Sequence, residues 1–207
     1  MKNALIHQTT CYDCGPTTIT NALRFLFERE EIPPVLVKQI WTMGVDAYAD
    51  GGEPGMAGTL KASMRYLAAW VDCFAEKCHF PLKATFLDME FGAIQKGSLV
   101  WKCLERGGCA VVRVWLGQTG HYVLLTELVN DEVIGLFDPL AGEIDACAEY
   151  WPVSGEPMRL NTSARTSRFF RMGSPDTGQY SAQASISPAS GSNRPMTSSF
   201  TSSVSST

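Results

Sequence analysis

The sequence predicts an α+β fold, with an N-terminal helical half packed on a C-terminal antiparallel sheet. Two observations predict it. Apolar residues from Ile19 to Ala68 recur mostly at helical spacing. After Gly107-Gly108 come three strand-like runs, 109–116, 121–128 and 132–138.

The first helix is expected from about Pro16 to Glu30, because Ile19, Ala22, Leu23, Leu26 and Phe27 fall on one face. Pro16 suits the first helical position, where a missing N–H costs nothing, and Ile32-Pro33-Pro34 stops the helix. A short helix follows over Val35 to Trp41. Residues 44–58, rich in Gly, Asp and Ala, read as a surface loop near the cleft, with the length of a lid or binding loop. Asp46, Asp50 and Glu53 offer hard oxygen ligands, but their spacing does not fit an EF-hand. Thr59 is placed to cap a helix running to about Val71. His79 to Phe86 reads as an edge or extended segment, since Pro81 forbids a central strand position. Ser98 caps a helix that ends at Gly107-Gly108. The nearly continuous apolar run Cys109 to Leu116 is expected to be a central, buried strand.

Chemistry concentrates at Gln8-Thr9-Thr10-Cys11-Tyr12-Asp13-Cys14-Gly15-Pro16. A cysteine at a helix N-terminus sits in positive potential, which favours the thiolate and makes it a nucleophile. Such a nucleophile needs a base, a group to orient the base, and donors for the oxyanion. Among three histidines, His121 opens a strand-like run after the turn-like Gly117-Gln118-Thr119-Gly120. With a two-residue turn at Asn130-Asp131, residue 121 faces residue 140, and Asp138 becomes a diagonal neighbour of His121 on the same sheet face. A turn one residue longer breaks that parity. His79 lacks a following carboxylate strand and is expected to be structural.

Taken together, a Gln six residues before Cys-Gly-Pro-Thr, a Gly-His-Tyr strand and an Asp-Pro ending the next strand resemble the papain-like cysteine peptidases of clan CA. Within it the chain is most similar to family thirty-nine, the bacteriocin-processing leader peptidases and their stand-alone relatives. The resemblance spans most of residues 1–145. It implies a papain-like fold with Cys14 as nucleophile, His121 as general acid/base and Asp138 orienting the imidazole. Gln8 would donate a side-chain N–H to the oxyanion beside the Cys14 backbone N–H. The substrate implied is a peptide or protein, with no cofactor and no metal. Two departures stand out: no membrane span or nucleotide-binding motif follows, and Cys11 adds a second thiol three residues before Cys14.

Length and composition agree with one domain over residues 1–180. The Ser/Thr-rich stretch 181–207 is expected to be disordered, since its composition offers little to bury. A net charge of −4 without Lys/Arg clusters argues against general nucleic-acid binding. No signal peptide and no membrane span are recognisable, so a cytoplasmic location is expected; the oligomeric state is not encoded in any legible pattern. Seven scattered cysteines do not form a disulfide framework, and Cys73-x4-Cys78-His79 is a poor zinc partner for Cys11-x-x-Cys14. Two alternatives compete with the peptidase: a thiol redox or regulatory protein using Cys11 and Cys14, and an inactive papain-like domain that binds peptides. Walls of the cleft are expected from loop 44–58 and from the region of Trp101 and Trp115.

Overall fold

The computed structural model describes residues 3–88, 94–116, 119–140, 150–166 and 181–188. It is a mixed α+β protein. Among these residues four α-helices, α1 (Cys14–Leu26), α2 (Pro34–Gly44), α3 (Lys61–Cys78) and α4 (Leu99–Glu105), accompany seven strands. The strands are β1 (Leu82–Thr85), β2 (Cys109–Leu116), β3 (Thr119–Leu128), β4 (Val133–Phe137), β5 (Tyr150–Pro152), β6 (Thr162–Arg165) and β7 (Ser181–Pro188). They form one sheet in the order β1-β7-β2-β3-β4-β6-β5, and every pairing is antiparallel.

Strand alternation divides the core into two layers. Cys109, Val111, Tyr122 and Leu124 pack with Ile19, Leu23, Leu36, Ile40, Met64 and Leu67 of the first three helices. Ala110, Val112, Val123 and Leu125 pack with Val100 and Leu104 of α4. Burying each such aliphatic side chain contributes about 1.5–3 kcal/mol. The helices therefore cover both faces of the sheet, whereas the sequence suggested one helical layer on one sheet.

Helix α1 starts two residues earlier than expected because the Asp13 carbonyl takes the Thr17 N–H at 3.0 Å. Pro16 then falls within the first turn, where N–H groups have no intrahelical partner. The helix stops at Leu26 with Phe27 extended. Beyond it, Glu28 and Glu31 close a capping box around a single 3-10 turn, Arg29–Glu31. Helix α2 outruns its expected end at Trp41, burying Leu36, Ile40 and Gly44 at helical spacing. Thr59 does not cap α3; its hydroxyl bonds the Gly44 carbonyl. Asp46 takes the capping role instead, accepting from the Leu60 N–H at 3.1 Å and from the Ser63 hydroxyl. Helix α3 continues to Cys78 and ends on the exposed His79 in left-handed geometry (φ 52°).

Ser98 caps α4 as expected, accepting the Trp101 N–H at 3.2 Å. Gly107, with φ 76°, then turns the chain into β2, a conformation that disfavours a side chain. Trp101 is buried and donates Nε1–H to Glu105 at 2.8 Å, so it is not a cleft wall. The side chain of Trp115, the residues Gly117 and Gln118, and the stretch 168–171 lie outside what is described.

The expectation of disorder from residue 181 fails for 181–188. These residues form β7, paired on one side with β1 and on the other with β2. Composition measures what side chains can bury, whereas a strand between two others is held through its backbone hydrogen bonds. Residues 189–207 lie outside the described residues. Strand β1, next to Pro81, is an edge strand, as that proline requires. Among the described residues no helix is long and apolar enough to cross a membrane.

Candidate active site

The hairpin that carries His121 and Asp138 reaches the expected register by an unexpected route. The turn is one residue longer than two: Val129 N–H bonds Val133 O at 2.9 Å, leaving Asn130, Asp131 and Glu132 as the loop. Alone, that extra residue would put the two side chains on opposite faces. A bulge at Thr126 cancels it, because Leu125 faces Leu136 while Glu127 faces Gly135. Beyond the bulge the pairing Leu124↔Phe137 is that of a two-residue turn, and His121 and Asp138 share a face again. Their side chains meet, with His121 Nε2 2.7 Å from Asp138 Oδ1.

The other end of the imidazole faces the thiol. Cys14 is the first residue of α1, and its thiol lies close enough to His121 to raise the imidazole pKa. With Nε2 committed to Asp138, Nδ1 is the nitrogen left for the sulfur. All three groups are buried: Cys14 and His121 are 5% exposed and Asp138 4%. Thr18 helps to seat α1 against the sheet by donating its hydroxyl to the Tyr122 carbonyl at 3.0 Å.

Electrostatics follow from this geometry. Burial alone would lower the His121 pKa, but the hydrogen bonds and charges of Asp138 and Cys14 raise it to about 9. Burial alone would raise the Asp138 carboxyl. His121, the Leu140 N–H (2.9 Å) and the Tyr150 hydroxyl (2.9 Å) overcome that and hold it below the usual carboxylate range. The imidazolium and the carboxylate are therefore the favoured forms at neutral pH. By contrast, burial pushes the Cys103 and Cys109 thiols up, which keeps them protonated and inert.

Gln8 is tied to the other half of the site through its backbone, its N–H bonding the Pro139 carbonyl at 2.8 Å. Its side-chain Nε2 donates to Thr10 O at 2.8 Å. That amide keeps a second hydrogen to donate, and the Cys14 N–H is one of the helix-start donors that have no intrahelical acceptor. The structure thus brings Cys14, His121 and Asp138 together directly, and places Gln8 on the adjoining loop.

Several supporting residues escaped the sequence. Asp13, 4% exposed, folds its carboxylate back onto the loop before it. It accepts the Thr9 N–H and hydroxyl at 3.1 and 2.8 Å and the Thr10 N–H and hydroxyl at 3.0 and 3.1 Å. The pattern Thr-Thr-x-x-Asp was visible and fits such a local cradle. Asn161 brackets Asp138, its Oδ1 accepting the Asp138 N–H and its Nδ2 donating to the Asp138 carbonyl, both at 2.8 Å. Neither Asn161 nor Tyr150 had a spacing that could announce it. Gly15 is fixed by a close approach: a Cβ there would overlap Thr59 Oγ1 and lie 2.7 Å from Thr59 Cβ.

Loop 44–58 returns on itself through a bridge between Tyr48 and Pro54 and the Ala47 N–H to Gly58 O bond at 3.2 Å. Its Gly58 approaches the Tyr12 carbonyl, which puts its end beside the Cys14 loop. Asp46 is engaged at the start of α3. No group of three or more potential metal ligands occurs among the described residues.

The fold and site define a mixed α+β protein with a buried thiol–imidazole–carboxylate chain at a helix N-terminus. Comparison with protein-family models and with curated proteins finds no match for the chain.

Proposed function

We propose that the chain is a papain-like cysteine peptidase that cleaves peptide or isopeptide bonds through an acyl-enzyme on Cys14. The observation that carries it is the meeting of three groups from a helix start and two strands far apart in sequence: His121 bonded to Asp138 at 2.7 Å, with the Cys14 thiol near enough to shift the imidazole. The order of these residues with Gln8, in the pattern that resembles family thirty-nine, supports the same assignment. In the proposed cycle the Cys14 thiolate adds to the carbonyl carbon. The Cys14 N–H and Gln8 Nε2 stabilise the oxyanion. His121 gives its proton to the departing amine, then takes one from the water that releases the acyl group and restores the thiol. Asp138 keeps the imidazole oriented and supports its positive charge. No cofactor enters the chemistry, and a cytoplasmic location belongs to the same proposal.

A dithiol protein using Cys11 and Cys14 has less support. The thioredoxin-type arrangement needs a strand before the motif and a βαβ unit around it. Here α1 is the first element among the described residues and every strand pairing is antiparallel. An inactive binding domain would leave the ordered His121–Asp138 pair without a task.

The test is site-resolved labelling by a peptide-like thiol electrophile, read by mass spectrometry. Cys14 is expected to react faster than the exposed Cys11, Cys73 and Cys78 despite its burial, and His121→Ala should remove that advantage. Cys14→Ala should abolish hydrolysis of a peptide library while leaving the fold intact. Labelling of the exposed thiols with Cys14 untouched would overturn the nucleophile assignment.

A further inference from the structure

A second feature lies along α1, away from the thiol. A half-open groove of about 480 Å3 is lined by the polar Asn3 and Thr20, by the cations Arg24, Arg29 and Lys38, and by apolar residues that include Ile32 and Val37. Thr20 and Arg24 sit six and ten positions after Cys14 on α1, about 9 and 15 Å along its axis.

Two side chains in this groove have unmet hydrogen-bonding capacity. Asn3 is 9% exposed and Thr20 6%, yet Asn3 Nδ2 and Thr20 Oγ1 have no hydrogen-bond partner. Buried polar groups are nearly always satisfied, so two orphans lining one cavity mark it as a place for a polar ligand atom. Their neighbours are cationic. Arg24 is anchored, donating Nε–H and Nη2–H to the Ala4 carbonyl at 2.9 and 2.7 Å. Burial and the charge of Arg29 depress its pKa. On the same turn Glu28 and Glu31 form its capping box, and Glu30 is held in its charged form in part by Arg29.

From this arrangement we infer that the groove binds an anionic amphipathic small molecule. A carboxylate or phosphate head would be held by Asn3, Thr20 and the cations, with an apolar body lying on Ile32 and Val37. The volume is within the range of small-ligand pockets, and charge-assisted bonds from guanidinium and ammonium groups suit either head group. This site is independent of the chemistry at Cys14.

Calorimetric titration of the full chain tests it, with octanoate and octyl phosphate as probes and octanol and octylamine as controls. Saturable binding of at least one anion is expected, and neither control should bind comparably. The ratio of the two anion affinities identifies the preferred head group. Arg29→Glu with Lys38→Glu, both at exposed positions, should weaken binding by about tenfold or more. Thr20→Val, which removes the orphan hydroxyl at constant shape, should weaken it by a smaller factor. Equal binding of octanol, unchanged affinity in the charge-reversed chain, or no saturable binding of either anion would overturn the inference.

Discussion

Replacing Asp138 by Asn isolates the charge at the heart of the site. The amide oxygen can take the place of Oδ1, which accepts from His121 and from the Leu140 N–H. The amide nitrogen then faces the Tyr150 hydroxyl, which can rotate to accept. Shape and hydrogen bonds survive while the negative charge is lost. His121 should then titrate well below about 9, toward or under its ordinary 6.5, because burial opposes the imidazolium. A rise from 6.5 to about 9 corresponds to about 3 kcal/mol of folding free energy, shared between the partners of the pair rather than counted for each. The sign follows from the direction. A histidine whose pKa is higher in the folded state stabilises fully below 6.5, and that contribution disappears as pH rises through about 9. Wild-type stability from denaturant unfolding should therefore fall across that window by up to about 3 kcal/mol more than that of the Asn variant. On the acid side, Asp138 stabilises the wild type above its ordinary pKa of 3.8, and that contribution is lost as pH falls through its lower folded value. Imidazole titration by NMR reads the same change at the residue. Parallel stability profiles for the two proteins, or a His121 that still titrates near 9 in the variant, would refute the account.

Three further outcomes follow from the packing. Gly15→Ala should cost about 1–3 kcal/mol of overpacking, seen as a lower urea midpoint, and Thr59→Ala in the same chain should recover only part, since the close Thr59 Cβ remains. Asn161→Ala should strip both bonds from the Asp138 backbone, costing about 2 kcal/mol and slowing labelling of Cys14. Cys11→Ser should leave hydrolysis and Cys14 labelling unchanged, because Cys11 is exposed and makes no part of the thiol–imidazole–carboxylate chain; loss of activity would favour the dithiol alternative.

The helices were legible where apolar spacing was strong, as in α1 with Ile19 and Leu23 or α4 with its Ser98 cap. Their ends were not, because they depend on groups distant in sequence: Asp46, not Thr59, receives the first donors of α3. The hairpin shows two unseen features whose effects cancel. The turn is one residue longer than its sequence suggests, and the bulge at Thr126, which no residue pattern announces, restores the expected pairing of His121 with Asp138. Strand β7 was missed because a stretch of Ser and Ala carries little hydrophobic signal, while its hold on the sheet comes from backbone pairing. Within the site, Cys14, His121 and Asp138 were readable from residue type and position. Asp13, Tyr150 and Asn161 act through contacts that no local pattern records.

The two sides of the site are also separated in time. The ribosome delivers the sulfur with the first helix, but the ring that meets it emerges over a hundred residues later, and the hairpin must fold before the pair exists. Until then the nascent chain carries only an ordinary thiol. On the proposed mechanism, cleavage would therefore have to wait until the hairpin has folded onto the first helix.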